Sequence, residues 1–268
     1  MGSFFKSKIV IFSLAVLLAL TVYSFYQHIN KPPARDNSPP PSLNNGKVKY
    51  PQDYTIVMVG DSMTETLGNS DEIKENLSDY YPGKSFEVLN YGFGATNILS
   101  VVDRITKETQ HGRAFRPISE IDYDVILLES FGQNPLSQYP LEQGLKKQTE
   151  ELAKIVKILK ETNPKGKIVF VVTISPNKKI FAQNQVELSD ETRSQWVGER
   201  ISYMKNHEAF AKSNSIPVIN IFEISLLENN DGNPDFISTQ DYIHPSPTGI
   251  KFISRVIADF IYENKIFP

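Results

Sequence analysis

The chain has 268 residues and a net charge of −3, with a pI near 5.9, so it carries no electrostatic footprint for nucleic acid as a partner. It contains no cysteine, which excludes disulfides, thiolate metal sites, a cysteine nucleophile and lipid acylation at cysteine. The length suits one sizeable domain with appendages.

Residues 1–8 carry Lys6 and Lys8, and the next eighteen, 9–26, read IVIFSLAVLLALTVYSFY without a charge. A run of that length sits at the short end of what spans a bilayer. It ends in Thr21-Val22-Tyr23-Ser24-Phe25-Tyr26, bulky and aromatic where a signal peptidase needs small residues. Tyrosines there suit a membrane interface, so a retained anchor is expected rather than a cleaved signal peptide. Lys6 and Lys8 favour an inside amino terminus, opposed by Lys31 and Arg35 just after the span. The expected protein is single-pass, with its domain on the extracytoplasmic side. Residues 27–49 are rich in proline, serine and asparagine and read as an extended linker.

From Tyr50 onward the pattern alternates. Strand-length apolar runs cover 55–59, 86–91, 125–129, 168–174 and 216–221. Helical spacing covers 65–80, 96–109, 141–162, 192–213 and 248–263. Near-continuous apolar strands alternating with helices predict a parallel sheet covered on both faces. The one tryptophan, Trp196, reads as helix packing.

The first strand stops at Gly60-Asp61-Ser62, where a helical pattern begins. Asp61 or Ser62 is suited to cap that helix. A serine there also faces the positive helix end and its free N–H groups, which would stabilise an oxyanion. The second strand runs into Asn90-Tyr91-Gly92-Phe93-Gly94-Ala95, a glycine-spaced turn without the lysine of a phosphate loop. After the third comes Gly132-Gln133-Asn134, ahead of Pro135 and behind Glu129-Ser130. Three blocks thus fall at strand carboxyl ends, where open α/β sheets gather ligands. Of His28, His111, His207 and His244, only His244 stands near an acid in a Pro-bounded loop, Asp241-Tyr242-Ile243-His244-Pro245. A serine nucleophile needs such an imidazole base, and the base needs a carboxylate to fix its tautomer. No two histidines lie at metal-ligand spacing, so no metal site is expected.

Taken in order, these four blocks resemble the SGNH hydrolases, the GDSL-type esterases and lipases, over about 50–268. The resemblance implies a three-layer α/β/α, flavodoxin-like domain that hydrolyses esters without a cofactor. It assigns Ser62 as nucleophile, His244 as base and Asp241 as its orienting acid. It assigns the oxyanion hole to the Ser62 N–H, an N–H of the Gly94 turn and the Asn134 amide. Counted without a gap, the family's second glycine falls on Ala95, so that N–H belongs to Gly94 or Ala95. Pro135 stands where the family usually has aspartate. The implied substrate is a small-molecule, glycan or lipid ester. The same scaffold also serves O-acyl transfer to envelope glycans, or binding without catalysis.

Overall fold

The structure, a computed structural model, describes residues 41–44 and 46–268. It begins with a hairpin inside the segment read as linker. β1 (Ser42–Asn44) pairs antiparallel with β2 (Lys47–Lys49), and Gly46 turns with φ +79°. Asn-Gly at 45–46 is a strong hairpin signal, hidden here in a proline- and asparagine-rich composition. Val48 is buried, and its carbonyl accepts from the Asp122 N–H at 2.9 Å. Lys47 Nζ donates to the Thr162 carbonyl at 2.5 Å. The last residues of the expected 27–49 linker therefore belong to the domain. Among the described residues no helix is long and apolar enough to cross a membrane. The anchor expected over 9–26 lies outside the described residues.

β3 (Tyr54–Gly60) leads into a short helix α1 (Ser62–Glu65) and then α2 (Asp71–Tyr80). The single helix expected over 65–80 is broken because Gly68 and Ser70 take positive φ, +56° and +57°. β4 (Phe86–Gly92) is followed by a 3-10 turn over Ile98–Ser100 and α3 (Val101–Thr106). The expected helix over 96–109 gives way at its end to a second hairpin. There β5 (Thr109–His111) and β6 (Arg113–Phe115) meet at Gly112, with φ +68°. Then come β7 (Val125–Glu129), α4 (Leu141–Thr162), β8 (Lys167–Val172) and α5 (Asp190–Ser213). β9 (Val218–Asn220), α6 (Ile221–Ile224) and α7 (Pro247–Glu263) complete the order. α4 starts directly after Pro140 and stops at Asn163, because the ring of Pro164 disfavours helix at the residue before it. α7 has Pro247 in its first turn, and the Ser246 hydroxyl accepts from the Gly249 N–H at 3.0 Å.

The five longer-range strands form one parallel sheet in the order β4-β3-β7-β8-β9. Counted along the chain this is the flavodoxin-like order 2-1-3-4-5. The order reverses between β3 and β7, so the crevice opens at their carboxyl ends. Alternate residues of each strand serve opposite faces. Val57, Val59, Ile126, Leu128 and Phe170 pack with Ile105 of α3, Leu152 and Ile155 of α4 and Tyr203 of α5. Ile56, Met58, Val125, Leu127 and Val169 pack with Ile73 and Leu77 of α2 and Ile253 and Ile257 of α7. Each such side chain contributes roughly 1.5–3 kcal/mol by leaving water, which fixes both the layers and the strand register.

β3 and β4 end in glycine for a steric reason. A Cβ on Gly60 would lie 1.9 Å from Thr64 Oγ1, and one on Gly92 would lie 2.2 Å from the Glu65 backbone nitrogen. Their absence lets α1 fold directly over the strand ends.

His207 of α5 is fully buried against Phe170, with ring centroids 4.3 Å apart. Its Nε2 donates to the Leu128 carbonyl at 3.1 Å, and its Nδ1 has no partner among the described residues. Burial pushes its pKa down to about 3. The unfolded chain takes a proton on this imidazole below about 6.5, while the folded one does not. Stability should therefore fall as pH drops from 6.5 towards 3, by up to about 1.4 kcal/mol per pH unit from this group. Urea midpoints across that range should fall less steeply for His207→Phe than for the wild type. Parallel slopes would show that His207 is not the group responsible.

Candidate active site

Ser62 stands at the turn from β3 into α1, partly accessible, between buried Asp61 and Met63. Asp61 is the N-cap: its Oδ1 accepts from the Met63 N–H at 2.8 Å. That bond leaves the Ser62 N–H outside the cap, at a helix start whose first N–H groups have no helical acceptor. The Asp61 N–H in turn donates to Glu129 Oε2 at 3.3 Å, which ties the β3 and β7 ends together.

The second half of the site is the loop before α7. Asp241 Oδ1 accepts from the N–H groups of Ile243 and His244, at 2.9 and 3.0 Å. Its Oδ2 lies 2.6 Å from His244 Nδ1. The carboxylate thus folds the loop and holds the ring at once, with Tyr242 between them at φ +57°. With Nδ1–H directed at Asp241, Nε2 is the nitrogen left to accept a proton. Burial pulls the His244 pKa down, but the bond and charge of Asp241, with Asp61 and Glu65, leave it raised. Asp61 and Glu65, which bracket Ser62 in the sequence, both act on His244 through their charge. Burial pushes Asp241 up, and the partnership with His244 outweighs it and leaves Asp241 lowered.

The expected oxyanion groups converge on the same crevice. A Cβ on Gly94 would lie 3.7 Å from Ser62 Cβ and 2.5 Å from Glu65 Oε2, so Gly94 lies against the serine. Ala95 takes φ +55°, the left-handed region that favours glycine. Asn134 follows Phe131, which also sits at positive φ, +53°. Its amide is already engaged: Nδ2 donates to Asp61 Oδ2 at 3.0 Å. One of its two N–H bonds is committed and the other remains.

Residues 56–257 match the sequence model of the GDSL-like lipases and acylhydrolases. The chain belongs to the GDSL-like lipase/acylhydrolase family. Membership makes the protein a hydrolase acting on ester bonds. Solved structures share its fold. The lipase/acylhydrolase from Enterococcus faecalis superposes with a TM-score of 0.54 at 16% identity, over 79% of this chain and 96% of that one. The acetyl xylan esterase AlAXEase gives 0.54 at 15%, over 77% and 99%. A variant of an acetyl-xylooligosaccharide esterase from Geobacillus gives 0.55 at 13%, over 78% and 94%. No curated protein matches the sequence.

Three features around the site of this GDSL-like hydrolase were not legible in its sequence. Glu129 is buried beside Asp61, and its Oε1 accepts from the Ser130 hydroxyl at 2.6 Å and the Phe131 N–H at 3.0 Å. Burial, with the Asp61 charge beside it, pushes Glu129 well above the usual carboxylate range. Asp61 is also raised, chiefly by burial. Arg104 of α3 is buried, although a helical arginine ordinarily reads as a solvated face. Its Nη1 donates to the carbonyls of Gly60 and Tyr91, at 2.6 and 2.8 Å, and its Nη2 to the hydroxyls of Thr96 and Ser100, at 2.5 and 2.7 Å. It clamps the ends of β3 and β4 to the Gly94 turn. Burial pushes its pKa down to about 10, against the pull of Asp61, Glu129 and Glu65. Finally, Glu65 Oε1 lies 2.7 Å from His111 Nε2, and the His111 ring stacks on Phe93 at 4.5 Å. The β5–β6 hairpin thus closes one side of the site.

Proposed function

We propose that this GDSL-like hydrolase is a serine esterase in which Ser62 attacks the ester carbonyl. The observation that carries the reading is the His244–Asp241 pair at 2.6 Å, on a base that feels the charges on either side of Ser62. His244 Nε2 takes the Ser62 proton and gives it to the leaving alcohol. Water, deprotonated by the same nitrogen, then releases the acid from the acyl-enzyme. The carbonyl oxygen becomes an oxyanion met by the Ser62 N–H, an N–H of the Gly94–Ala95 turn and the uncommitted Asn134 N–H. Neither step calls for a cofactor. Two structural neighbours are acetyl esterases of xylan and xylooligosaccharides, and the proposed substrate is an O-acetyl ester of a glycan. The apolar 9–26 segment would hold the domain at a membrane, facing envelope material outside the cytoplasm.

The test is a fluorophosphonate probe and a panel of acetyl esters, with product analysis in the presence and absence of a sugar acceptor. Labelling at Ser62 and release of free acetate are expected. Acetyl sugar as the main product would make the enzyme a transferase, and no labelling with no turnover would leave a binding module. The pH profile adds a second check. His244 is raised, and only its neutral form accepts a proton, so kcat/KM should rise with pH through one ionisation centred above 6.5. Asp241→Asn should move that midpoint down, since the raising partner is lost. A midpoint unmoved in the variant would assign the limb to another group.

A further inference from the structure

Arg200 of α5 takes no part in that chemistry. α5 climbs the β7 end of the sheet in steps. His207 bonds the Leu128 carbonyl inside β7, and the Met204 side chain lies under Gly132, where a Cβ would meet Met204 Cγ at 2.4 Å. Arg200 is one turn nearer the helix amino terminus on the same face as Met204, and so lies past the strand end, beside the Gly132–Asn134 loop. On its other side is the loop after β8. The Arg200 guanidinium lies 4.7 Å from the Phe181 ring centroid and 5.6 Å from that of Trp196. The next residue, Ala182, donates its N–H to the Tyr242 carbonyl at 3.2 Å, and Ile243 packs against Phe181 and Ala182. Arg200 therefore stands on the rim between the Asn134 loop and the His244 loop. Its charge reaches Asp61, the residue before Ser62.

Beyond its ring contacts this guanidinium uses little of its donor capacity. Nη1 donates to the Trp196 carbonyl at 3.0 Å, Nε is buried without an acceptor, and Nη2 has no acceptor among the described residues. No carboxylate among the described residues lies within ion-pair distance of it, its charged neighbours Glu199 and Asp61 acting only from further away. Arg104 makes the contrast, with each Nη donating to two acceptors. A guanidinium partly withdrawn from water gains most from an anionic partner, and its planar fork matches a carboxylate or phosphate through two parallel bonds. Trp196, expected as helix packing, is instead 39% exposed and forms part of the rim.

We propose that Arg200, held between Phe181 and Trp196, is the recognition residue for an anionic group, a carboxylate or a phosphate, carried by the ester substrate. The proposal rests on the esterase reading for its site but has a readout that does not need turnover. Trp196 is the only tryptophan of the chain, so its fluorescence reports on the Arg200 environment directly. The full-length chain in non-ionic detergent is titrated with D-glucuronate and with glycerol 3-phosphate, using glucose and glycerol as neutral controls. A saturable change is expected with at least one anion, and whichever binds assigns carboxylate or phosphate. The neutral controls should give none. Arg200→Gln should weaken the binding by about tenfold or more, and Arg200→Lys by less, since it keeps the charge without the fork. In parallel, Arg200→Gln should raise KM for 4-acetoxybenzoate by about tenfold and leave 4-nitrophenyl acetate unchanged. No fluorescence response to either anion, or an equal response in Arg200→Gln, overturns the proposal. So does an equal loss on both esters, which would make Arg200 a structural prop for Trp196. If the wild type cleaves neither ester yet Trp196 responds to an anion through Arg200, the esterase reading fails and the anion site stands.

Discussion

Ser62→Ala and His244→Ala are each expected to lower kcat by several orders of magnitude, and the double variant by about as much as either alone. The two groups act as one unit. Without the hydroxyl, His244 Nε2 has no proton to take. Without the imidazole, Ser62 is an ordinary alcohol at neutral pH. Subtilisin shows the same pattern, where single and combined losses both reach roughly 10⁶. Asp241→Asn should cost less, because both reacting groups survive it, although its two backbone acceptor bonds and the ring tautomer are disturbed. The measurement is steady-state kinetics on an acetyl ester for wild type, both singles and the double, with circular dichroism showing each folded. Independent, multiplying losses would mean that Ser62 and His244 serve different steps. A folded, fully active Ser62→Ala would remove Ser62 as nucleophile.

The fold was readable wherever one physical signal acted alone. β7 and α4 occupy the expected 125–129 and 141–162, because the strand is apolar on both faces and the helix is bounded by Pro140 and Pro164. Errors came where turn chemistry interrupted a longer periodicity. Helical spacing runs from 65 to 80, but Gly68 and Ser70 at positive φ divide α1 from α2. Both short hairpins turn on a glycine, Gly46 within the stretch read as linker and Gly112 just past the stretch read as helix. Two-stranded ribbons of three residues a side are too short to show a period of two, and they hold by docking on the domain.

The site was readable as far as chemistry follows chain neighbours. Asp241 and His244 are three residues apart, so their contact needed only one loop, and Gly60-Asp61-Ser62 closes a visible strand. Contacts between distant residues left no sequence trace. Glu65 and His111 lie 46 positions apart and meet only because α1 folds over the Gly92 end of β4 and the β5–β6 hairpin comes back to it. Arg104 is hidden in the same way: its four acceptors come from two strand ends, a turn and its own helix start. The Gly94 turn is placed by that clamp, so the geometry around Ser62 depends on a charge that sequence reading assigns to solvent.

Asn134→Ala should lower kcat by roughly 10²–10³ with little change in KM, the signature of a donor that acts mainly in the transition state. The structure adds a consequence that a free amide would not have. Asn134 Nδ2 also donates to Asp61 Oδ2, and Asp61 is fully buried. Removing the amide takes away the largest of the hydrogen bonds that hold that carboxylate's pKa down, so its pKa, already raised by burial, should rise further. The folded protein then holds its proton to higher pH than the unfolded chain does. Stability should consequently decline as pH rises above the ordinary aspartate value of about 3.9, more steeply in Asn134→Ala than in wild type. Urea midpoints from about pH 4 upward measure this beside the kinetics. Asn134→Asp separates the two roles: it retains the shape, supplies no N–H to the oxyanion, and sets a third carboxyl beside Asp61 and Glu129. It should lose kcat at least as far as the alanine variant, with a stability slope at least as steep. If Asn134→Ala changes KM alone, the amide holds substrate rather than the oxyanion, and if its stability slope matches wild type, the bond to Asp61 carries no weight in the fold.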